Sequence, residues 1–286
     1  MNTFGTKSPP LISPQELLHQ MIADNLVILD ARSGKNAFEN YAAHHIQNAL
    51  HIDLDKDLAK KPVDAAMGGR HPLPELLKFT TLIGNLGISP VSHVVVYDDK
   101  NGANAAARCW WMIRSLGHQH VQVLDGGMQA AQLAGIPFNH TIPVPVPVAA
   151  YPTISWTMPT ASIEEVTKAT TDPDSLIIDV RERYRYLGES EPIDLVAGHI
   201  PNAVNVPYSQ NLADNGSFHR PEQLASDYRK LLGNHPTGQV IVHCGSGVTA
   251  CHTLLALEQA GLPGAKLYVG SWSEWSRNDK PVATGE

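Results

Sequence analysis

The 286-residue chain has few cysteines. It contains three, and no two of them are spaced as a Cys-x-x-Cys pair. A small, odd number of this kind excludes a disulfide framework and a structural zinc site, and it favours a reducing compartment. Residues 1–14 are polar, contain proline and lack an apolar run, so we expect no cleaved signal peptide. We therefore predict a cytoplasmic protein.

The sequence also lacks long apolar runs and clusters of basic residues. Its longest apolar runs have the length of a strand, well short of the ~20 residues that a membrane span requires. The net charge of −7 disfavours nucleic acid or an anionic membrane as a partner. The fourteen histidines are scattered, with no His-Glu-x-x-His spacing, so we expect no metal ion and no other cofactor.

An internal repeat organises the chain. Three kinds of segment occur twice in the same order: an apolar run ending in Asp-x-Arg, a His-Ile-x-Asn-Ala motif, and a second apolar run. They are residues 26–32 and 176–181, 45–49 and 199–203, and 94–98 and 240–244. Their landmarks lie at offsets of 149, 154 and 146 residues, which indicates a duplicated domain. We expect the arginine of each Asp-x-Arg motif, Arg32 or Arg181, to form a structural salt bridge.

The fold class follows from what lies between these segments. Apolar strand runs alternate with helical patterns such as 105–116 and 249–260, the signature of a parallel sheet with helices on both faces. Residues 143–148 read Pro-Val-Pro-Val-Pro-Val, which forbids a helix and predicts an extended, stiff linker. We therefore predict two α/β domains, residues 1–150 and 151–286.

The segment around Cys244 is the strongest functional signal. An apolar run ends in this cysteine, Gly-Ser-Gly follows, and a helical pattern resumes at Thr249. A thiol between a strand and a helix start is surrounded by backbone N–H groups and the positive end of a helix dipole, and both favour the thiolate. The alternative is an inert cysteine buried at a strand end. The first half carries Asp98 at the matching position, so we expect that domain to complete the structure without supplying a nucleophile.

Two Asp-x-Arg and His-Ile-x-Asn-Ala domains, with Cys-Gly-Ser-Gly-Val-Thr in the second only, resemble the tandem rhodanese-type sulfurtransferases over nearly the whole chain. The resemblance implies that Cys244 takes a sulfane sulfur from a small-molecule donor as a persulfide. The sulfur then passes to a thiol, such as thioredoxin or a small thiol, or to cyanide. It also implies that the loop residues Gly245, Gly247, Val248 and Thr249 bind the donor.

The loop is similar to that of 3-mercaptopyruvate sulfurtransferases, whereas thiosulfate-preferring members usually carry basic residues after the cysteine. The former pair the loop serine with a histidine and an aspartate from the first domain. The matching positions are Ser246, His71 and Asp55, with Asp53 as the alternative acid. Such a relay would protonate the pyruvate enolate that remains when the donor's C–S bond breaks. The catalytic residues implied are therefore Cys244, Ser246, His71 and Asp55.

Arginine is the expected ligand for a small carboxylate, through two parallel N–H donors. Arg185 matches the substrate arginine of the family. Mercaptopyruvate enzymes usually carry a second arginine after a Glu-Pro pair, but here Glu191 and Pro192 are followed by Ile193. This departure leaves thiosulfate open as the donor.

Two other classes of function place different demands on the loop. A cysteine phosphatase needs an arginine closing it, but this chain has Ala250 at that position and no arginine from there to Ala260. A non-catalytic sulfur carrier or binding module is the remaining alternative, although inactive rhodanese-type domains typically lose the cysteine that the second half retains.

Overall fold

The computed structural model describes residues 7–103 and 105–286, which form two compact units. The first contains the described residues up to Leu58 together with Pro74–Thr157, and the second contains Ala59–Leu73 together with Met158–Glu286. Residues 59–73 thus fold with the second unit, an exchange that nothing in the repeat indicated. The first six residues of the N-terminal segment, for which we expect no signal peptide, lie outside the described ranges.

The first unit alternates strands and helices. Its elements are β1 (Leu11–Ile12), α1 (Pro14–Gln20), β2 (Leu26–Asp30), α2 (Ala37–Ala43), β3 (His45–Ile46), β4 (Leu50–His51), α3 (Leu76–Asn85), β5 (His93–Tyr97), α4 (Ala105–Ser115), β6 (Val121–Leu124), α5 (Gly127–Leu133) and β7 (Phe138–Asn139). The main sheet is parallel, in the order β1-β6-β5-β2-β4, and β3 pairs antiparallel with β7. Apolar side chains of β2, β5 and β6 form its core.

The second unit repeats this pattern. Its elements are β8 (Thr160–Ala161), α6 (Ile163–Ala169), β9 (Leu176–Asp179), α7 (Arg183–Leu187), β10 (Ala203–Asn205), a 3-10 helix (Tyr208–Asn211), α8 (Pro221–Leu232), a second 3-10 helix (Thr237–Gln239), β11 (Val240–His243), α9 (Ala250–Gln259), β12 (Lys266–Tyr268) and α10 (Ser271–Trp275). The sheet is parallel in the order β10-β9-β11-β12-β8. Each strand therefore occupies the position of its counterpart in the first unit, which confirms the predicted duplication and fold class.

Local sequence explains where several helices begin. Ser13 and Glu16 form a capping box at the start of α1, and Ser162 accepts a hydrogen bond from the Glu165 N–H at the start of α6. Pro221 occupies the first turn of α8, where no backbone N–H is needed. None of the helices in the described residues is long and apolar enough to cross a membrane.

The proline-rich segment 143–148, for which we predict an extended linker, contains no helix or strand and runs beside α3. The N–H of Val148 donates to the carbonyl of Gly84 over 2.9 Å. A side chain at Gly84 would meet the backbone carbonyls of Val148 and Ala149, so the close approach depends on glycine there.

The Asp-x-Arg arginines form the predicted structural salt bridges. Nη2 of Arg32 lies 2.7 Å from Oδ2 of Asp30 and donates to a backbone carbonyl of its own unit. Nη2 of Arg181 lies 2.5 Å from Oδ2 of Asp179 and also donates to the Gly198 carbonyl over 2.7 Å. Each pair is buried, so it ties the end of a central strand to the following loop.

Asp98 follows β5 at the position that matches Cys244 in the second unit. Its buried carboxylate accepts hydrogen bonds from the N–H groups of Lys100, Gly102 and Ala106 at 2.9, 2.8 and 3.1 Å. Burial raises the pKa of Asp98, and the three N–H donors act against that rise. The Asp98 carboxylate is thus the acceptor for the amides of its own loop, and it holds that loop in place.

We expect Asp98→Ala to lower the stability of the first unit by about 2–4 kcal/mol, because three buried N–H groups lose their acceptor. Asp98→Asn retains one carbonyl oxygen and should cost less. Denaturant unfolding, monitored with Trp110 and Trp111 of α4, would measure both variants, and Asp24→Ala at an exposed position is the control. An Asp98→Ala variant as stable as this control would show that the carboxylate does not hold the loop.

Candidate active site

Cys244 follows β11 directly and begins the loop that leads into α9. The strand pairs with β9 on one side and β12 on the other, so it lies in the middle of the sheet. Cys244 is 3% exposed, and Ser246 in the same loop is 6% exposed. All three cysteines are buried and none forms a disulfide. The nucleophile predicted from sequence is therefore held at the carboxyl end of a central parallel strand, where such sheets bind ligands.

The start of α10 fastens the cysteine loop. The N–H groups of Trp272 and Ser273 donate to the carbonyls of Cys244 and Gly245 over 3.0 and 2.8 Å. The Cys244 N–H donates to Oγ of Ser271 over 3.2 Å. Ser271 has φ 52, a backbone conformation that non-glycine residues seldom adopt. The start of the loop is thus held by hydrogen bonds to the start of α10, where Ser271 has a strained backbone.

Gly247 is the one loop position where the backbone requires glycine. Its φ is 74, and a Cβ atom built there would collide with the backbone carbonyl of Val269. A backbone neighbour cannot move aside as a side-chain tip could. The Gly-Ser-Gly spacing therefore reflects the left-handed turn that brings the loop back toward α9.

Several amides of this loop are unsatisfied. Among the described residues, no hydrogen bond uses the N–H groups of Gly245, Ser246, Val248 or Thr249. The first three of these residues are buried. Because a buried N–H without an acceptor is costly, a group of them is suited to an anion. We call these four amides the loop cradle; they include three of the predicted donor-binding residues.

His71 is hydrogen-bonded to Ser246 within the second unit. Nδ1 of His71 lies 2.7 Å from Oγ of Ser246, and the hydroxyl donates when that nitrogen is unprotonated. The pairing inferred from the resemblance thus has the geometry of a proton-transfer couple.

Residues 59–73 carry His71 and are held firmly against α10. The Gly68 N–H donates to Glu274 over 2.8 Å, and the Arg70 N–H donates to Oγ of Ser273 over 3.0 Å. The side-chain amide of Asn278 donates to the carbonyl of Ala66 over 2.9 Å. This segment therefore delivers a histidine from early in the sequence to the loop of the second unit.

Asp55 and Asp53 lie in a turn of the first unit. Oδ1 of Asp53 accepts the N–H groups of Asp55 and Lys56 at 2.9 and 3.0 Å, so the Asp53 carboxylate stabilises that turn. Asp55 is exposed.

Arg185, in the middle of α7, is paired with Glu191. Its Nη2 lies 2.8 Å from Oε1, and its Nε is within 3.2 Å of both carboxylate oxygens. Burial alone would lower the pKa of Arg185, but the hydrogen bonds and charge of Glu191 raise it. Glu191 thus occupies the Nε and Nη2 edge of the guanidinium, and Glu182 lies 3.6 Å from Nη1 on the other edge.

Sequence reasoning missed three charged groups beside the loop: Arg70, Asp194 and Arg277. The buried Asp194 carboxylate lies 3.1 Å from Nε of Arg70 and 2.9 Å from Nη1 of Arg277. A Cβ atom on Gly245 would lie 3.1 Å from Nη2 of Arg70 and 3.4 Å from Nη2 of Arg185. Two guanidiniums therefore flank the residue after the nucleophile. The position of Arg70 directly before His71 was the only available signal.

Beneath the loop, Asp179 and His243 form a buried charged layer with Arg181. Burial would raise the pKa of Asp179, but the charges of Arg181 and His243 lower it. Burial also lowers the pKa of His243, whose Nδ1 lies 3.2 Å from the carbonyl of Cys244. Because a guanidinium stays protonated, the arginines supply the fixed positive charge of the site.

A cavity of about 50 Å³ opens at the nucleophile. Its lining includes Cys244, Gly245, Thr249 and Arg185. In the structurally described parts of the chain, no three His, Cys, Asp or Glu side chains are arranged to hold a metal ion. The groups that converge here are a thiol, a serine–histidine pair, unsatisfied amides and guanidiniums, a set suited to nucleophilic chemistry on a small anion.

Comparison with known proteins agrees with this architecture. The family model described as "Rhodanese-like domain" matches residues 13–134 and again 162–278. A Pseudomonas aeruginosa protein named "Probable 3-mercaptopyruvate sulfurtransferase" is 38% identical over 290 residues, covering 98% of this chain and 99% of that protein. The thiosulfate sulfurtransferase of Rattus norvegicus is 33% identical over 270 residues, covering 91% of this chain and 88% of that protein.

Among solved structures, the 3-mercaptopyruvate sulfurtransferase from Leishmania major superposes with a TM-score of 0.82 at 29% identity. The match covers 96% of this chain and 76% of that one. The chain belongs to the rhodanese family, and it is a sulfurtransferase with two rhodanese-like domains.

We expect Gly247→Ala to abolish most sulfur transfer and to destabilise the second unit by about 1–2 kcal/mol or more, because the left-handed backbone and the Val269 carbonyl both oppose a side chain. Gly238→Ala, where a Cβ atom meets nothing within 4 Å, is the matched control. Thermal unfolding and turnover would be measured for both. Equal behaviour of the two variants would show that the loop does not need glycine at position 247.

Proposed function

We propose that this sulfurtransferase takes the sulfur of 3-mercaptopyruvate onto Cys244 as a persulfide and passes it to a thiol or to cyanide. The hydrogen bond between His71 and Ser246 is the observation that supports this donor most directly. After sulfur transfer, thiosulfate becomes sulfite, which needs no proton. Mercaptopyruvate becomes the pyruvate enolate, which must be protonated to give pyruvate.

The first half-reaction forms one S–S bond and breaks one C–S bond. The Cys244 thiolate attacks the donor sulfur, and the electron pair of the C–S bond remains on the pyruvate enolate. The loop cradle and the nearby guanidiniums stabilise the negative charge as it moves. One proton delivered to the enolate carbon completes pyruvate. The proton comes through Ser246 and His71, whose 2.7 Å hydrogen bond allows the transfer.

The second half-reaction regenerates the thiolate. An acceptor thiolate attacks the outer sulfur of the persulfide, forms a new persulfide and releases Cys244 as thiolate. Cyanide reacts in the same way and leaves as thiocyanate. Thioredoxin or a small thiol is the acceptor that suits the reducing, cytoplasmic location proposed for a chain whose three cysteines form no disulfide.

The first domain, residues 1–150, contributes no nucleophile and completes the structure, and residues 151–286 carry the cysteine loop. Residues 59–73 of the first part nevertheless belong to the second unit and bring in His71. Asp55 is the acidic member of the relay in this proposal, with Asp53 as the alternative. Arg185, Gly245, Gly247, Val248 and Thr249 bind the donor.

Thiosulfate is the second candidate donor. The substrate arginine expected after Glu191 and Pro192 is replaced by Ile193, and the relatives include thiosulfate enzymes at similar identity. A passive sulfur carrier is the third possibility. Rapid loss of a preloaded persulfide to cyanide, at the rate of turnover, separates an enzyme from such a carrier.

Steady-state kinetics with both donors test the proposal. We expect kcat/KM to be higher for 3-mercaptopyruvate than for thiosulfate, with measurable activity toward both. Ser246→Ala and His71→Ala should each lower kcat with mercaptopyruvate by about 10²–10⁴-fold, the usual contribution of a positioned proton donor, and affect thiosulfate far less. The double variant should be little worse than either single one, because the two groups act as one relay.

Two results would contradict the proposal. Thiosulfate preferred by more than tenfold in kcat/KM, about 1.4 kcal/mol, would make thiosulfate the donor. Equal losses with both donors in Ser246→Ala and His71→Ala would remove the relay. Thr167→Ala, which removes an α6 hydroxyl that donates to the Ile163 carbonyl, controls for the loss of a hydroxyl elsewhere.

A further inference from the structure

Ser273 of α10 is bonded to both pieces of chain that carry the proton relay. Its N–H donates to the Gly245 carbonyl over 2.8 Å, and its Oγ accepts the Arg70 N–H over 3.0 Å. Gly245 directly precedes Ser246, and Arg70 directly precedes His71. One fully buried residue thus contacts the chain neighbour of each member of the hydrogen-bonded pair.

The hydroxyl of Ser273 is held in one direction. Its single proton is donated to the Gly270 carbonyl over 2.9 Å, which leaves only lone pairs for other partners. A helix serine that bonds a carbonyl of the preceding turn is common and by itself indicates no function. The bond from the Arg70 N–H is different, because it leaves the helix and joins a segment 203 residues earlier in the chain.

The backbone of that segment lies directly against the hydroxyl. Gly69 has a φ of 80, and a Cβ atom there would collide with the Gly270 carbonyl and lie 2.8 Å from Oγ of Ser273. The absence of a side chain at position 69 therefore lets the segment approach closely enough for the Arg70 N–H to reach Ser273. The hydroxyl then fixes the backbone one residue before His71.

The cysteine loop has other attachments to α10, whereas the hydroxyl is the partner of the backbone N–H directly before His71. The N–H of Trp272 donates to the Cys244 carbonyl over 3.0 Å, and the Cys244 N–H donates to Oγ of Ser271 over 3.2 Å. The N–H of residue 273 is also retained when its side chain is shortened to alanine. Loss of the hydroxyl should therefore move His71 and leave the cysteine in place.

The distance between His71 and Ser246 leaves little tolerance for such a movement. Nδ1 and Oγ are 2.7 Å apart, and a hydrogen bond is lost when such a separation grows much beyond about 3.2 Å. A proton donor must lie within that range of its partner. A small displacement of residues 70 and 71 is therefore enough to interrupt the relay.

We propose that Ser273 is a positioning residue, which couples the cysteine loop to residues 59–73 and sets the distance between Ser246 and His71. Its hydroxyl is bonded to Gly270 and Arg70, so it acts on the reaction through His71. The inference rests on the proposed function, because it assigns Ser273 to the relay that the pyruvate enolate requires. A hydroxyl on α10 thus decides how well the enzyme uses one donor and not the other.

The kinetic test compares Ser273→Ala with Ser271→Ala. Ser271 is the matched control, because its buried hydroxyl bonds the Cys244 N–H and the Tyr268 carbonyl but, among the described residues, none of 59–73. We expect Ser273→Ala to lower kcat with 3-mercaptopyruvate about tenfold or more and to leave KM and thiosulfate turnover within about twofold, since a misplacement of ~1 Å can cost about 10²-fold. Ser271→Ala should slow both donors alike, because it disturbs the loop itself.

A double-mutant cycle separates positioning from a general structural effect. Because Ser273 acts through His71, Ser273→Ala should cause no further loss of mercaptopyruvate turnover in the His71→Ala background. A residue that only stabilises the fold would lower the activity of both backgrounds by the same factor. Thermal unfolding of each variant establishes that it is folded.

The position of His71 can also be measured in the resting protein, without any donor. Nitrogen NMR with isotope-labelled histidine gives the Nδ1 chemical shift of His71, which reports its hydrogen bond to Ser246. Ser246→Ala supplies the value for the broken bond. We expect Ser273→Ala to move the Nδ1 shift toward that value and Ser271→Ala to leave it unchanged.

Three results would each overturn the role of Ser273: a wild-type Nδ1 shift in Ser273→Ala, an equal loss of turnover with both donors, or a further loss in the His71→Ala background. Wild-type protein that does not turn over mercaptopyruvate would instead contradict the proposed function. The Nδ1 shift would then still decide whether Ser273 positions His71, so the two failures are distinguishable.

Discussion

The functional half of this molecule depends on backbone N–H groups that the protein leaves unsatisfied. Burying an amide without an acceptor costs free energy, so a fold tolerates several together only where something else supplies the acceptor. The loop after β11 has three such amides and a fourth, at Thr249, that is half-buried, and the thiol of Cys244 begins that loop. The sharp turn at Gly247 and the strained Ser271 then become intelligible, because both fix the loop in the shape that exposes these donors.

In the first unit, the corresponding loop amides have an acceptor within the same loop. Its loop begins with Asp98, whose carboxylate accepts three amide hydrogen bonds. In the first unit the loop amides donate hydrogen bonds to Asp98. In the second unit the amides of the loop cradle, which follow Cys244, donate to no described residue. The two loops differ in most of their residues, beginning with Asp98 or Cys244 at the equivalent strand end. The repeated Asp-x-Arg salt bridges, by contrast, are the same in both units because they stabilise the sheet rather than the chemistry.

Much of the fold and part of the site could be predicted from sequence. Repeated landmarks imply repeated topology, so two similar domains could be predicted, each with a parallel sheet; the five strands of each sheet come from the structure. The cysteine loop followed from the residue types alone, since cysteine, glycine and serine between a strand and a helix are typical of a turn that binds an anion or carries a nucleophile. The pairing of His71 with Ser246 came only from the resemblance, because it joins residues far apart in sequence.

The remaining features depend on tertiary contacts that leave no local pattern. Residues 59–73 fold with the second unit through single hydrogen bonds to α10 and to Asn278 after it, which no periodicity reveals. Arg70 and Asp194 are ordinary surface-type residues until the fold places them beside Gly245. Arg185 was found by its motif, yet its pairing with Glu191 was not, because the partner lies beyond the end of the helix.

The unsatisfied amides of the loop cradle can be observed directly by NMR. Amide proton shifts would be recorded before and after loading with 3-mercaptopyruvate, with mass spectrometry locating the added sulfur. We expect one sulfur on Cys244, none in Cys244→Ser, and downfield shifts of the Gly245, Ser246, Val248 and Thr249 amides that are absent from residues 100–103 of the first unit. Sulfur on Cys109 or Cys251, or a persulfide on Cys244 that leaves these amides unchanged, would contradict the claim that the open cradle is what makes this cysteine reactive.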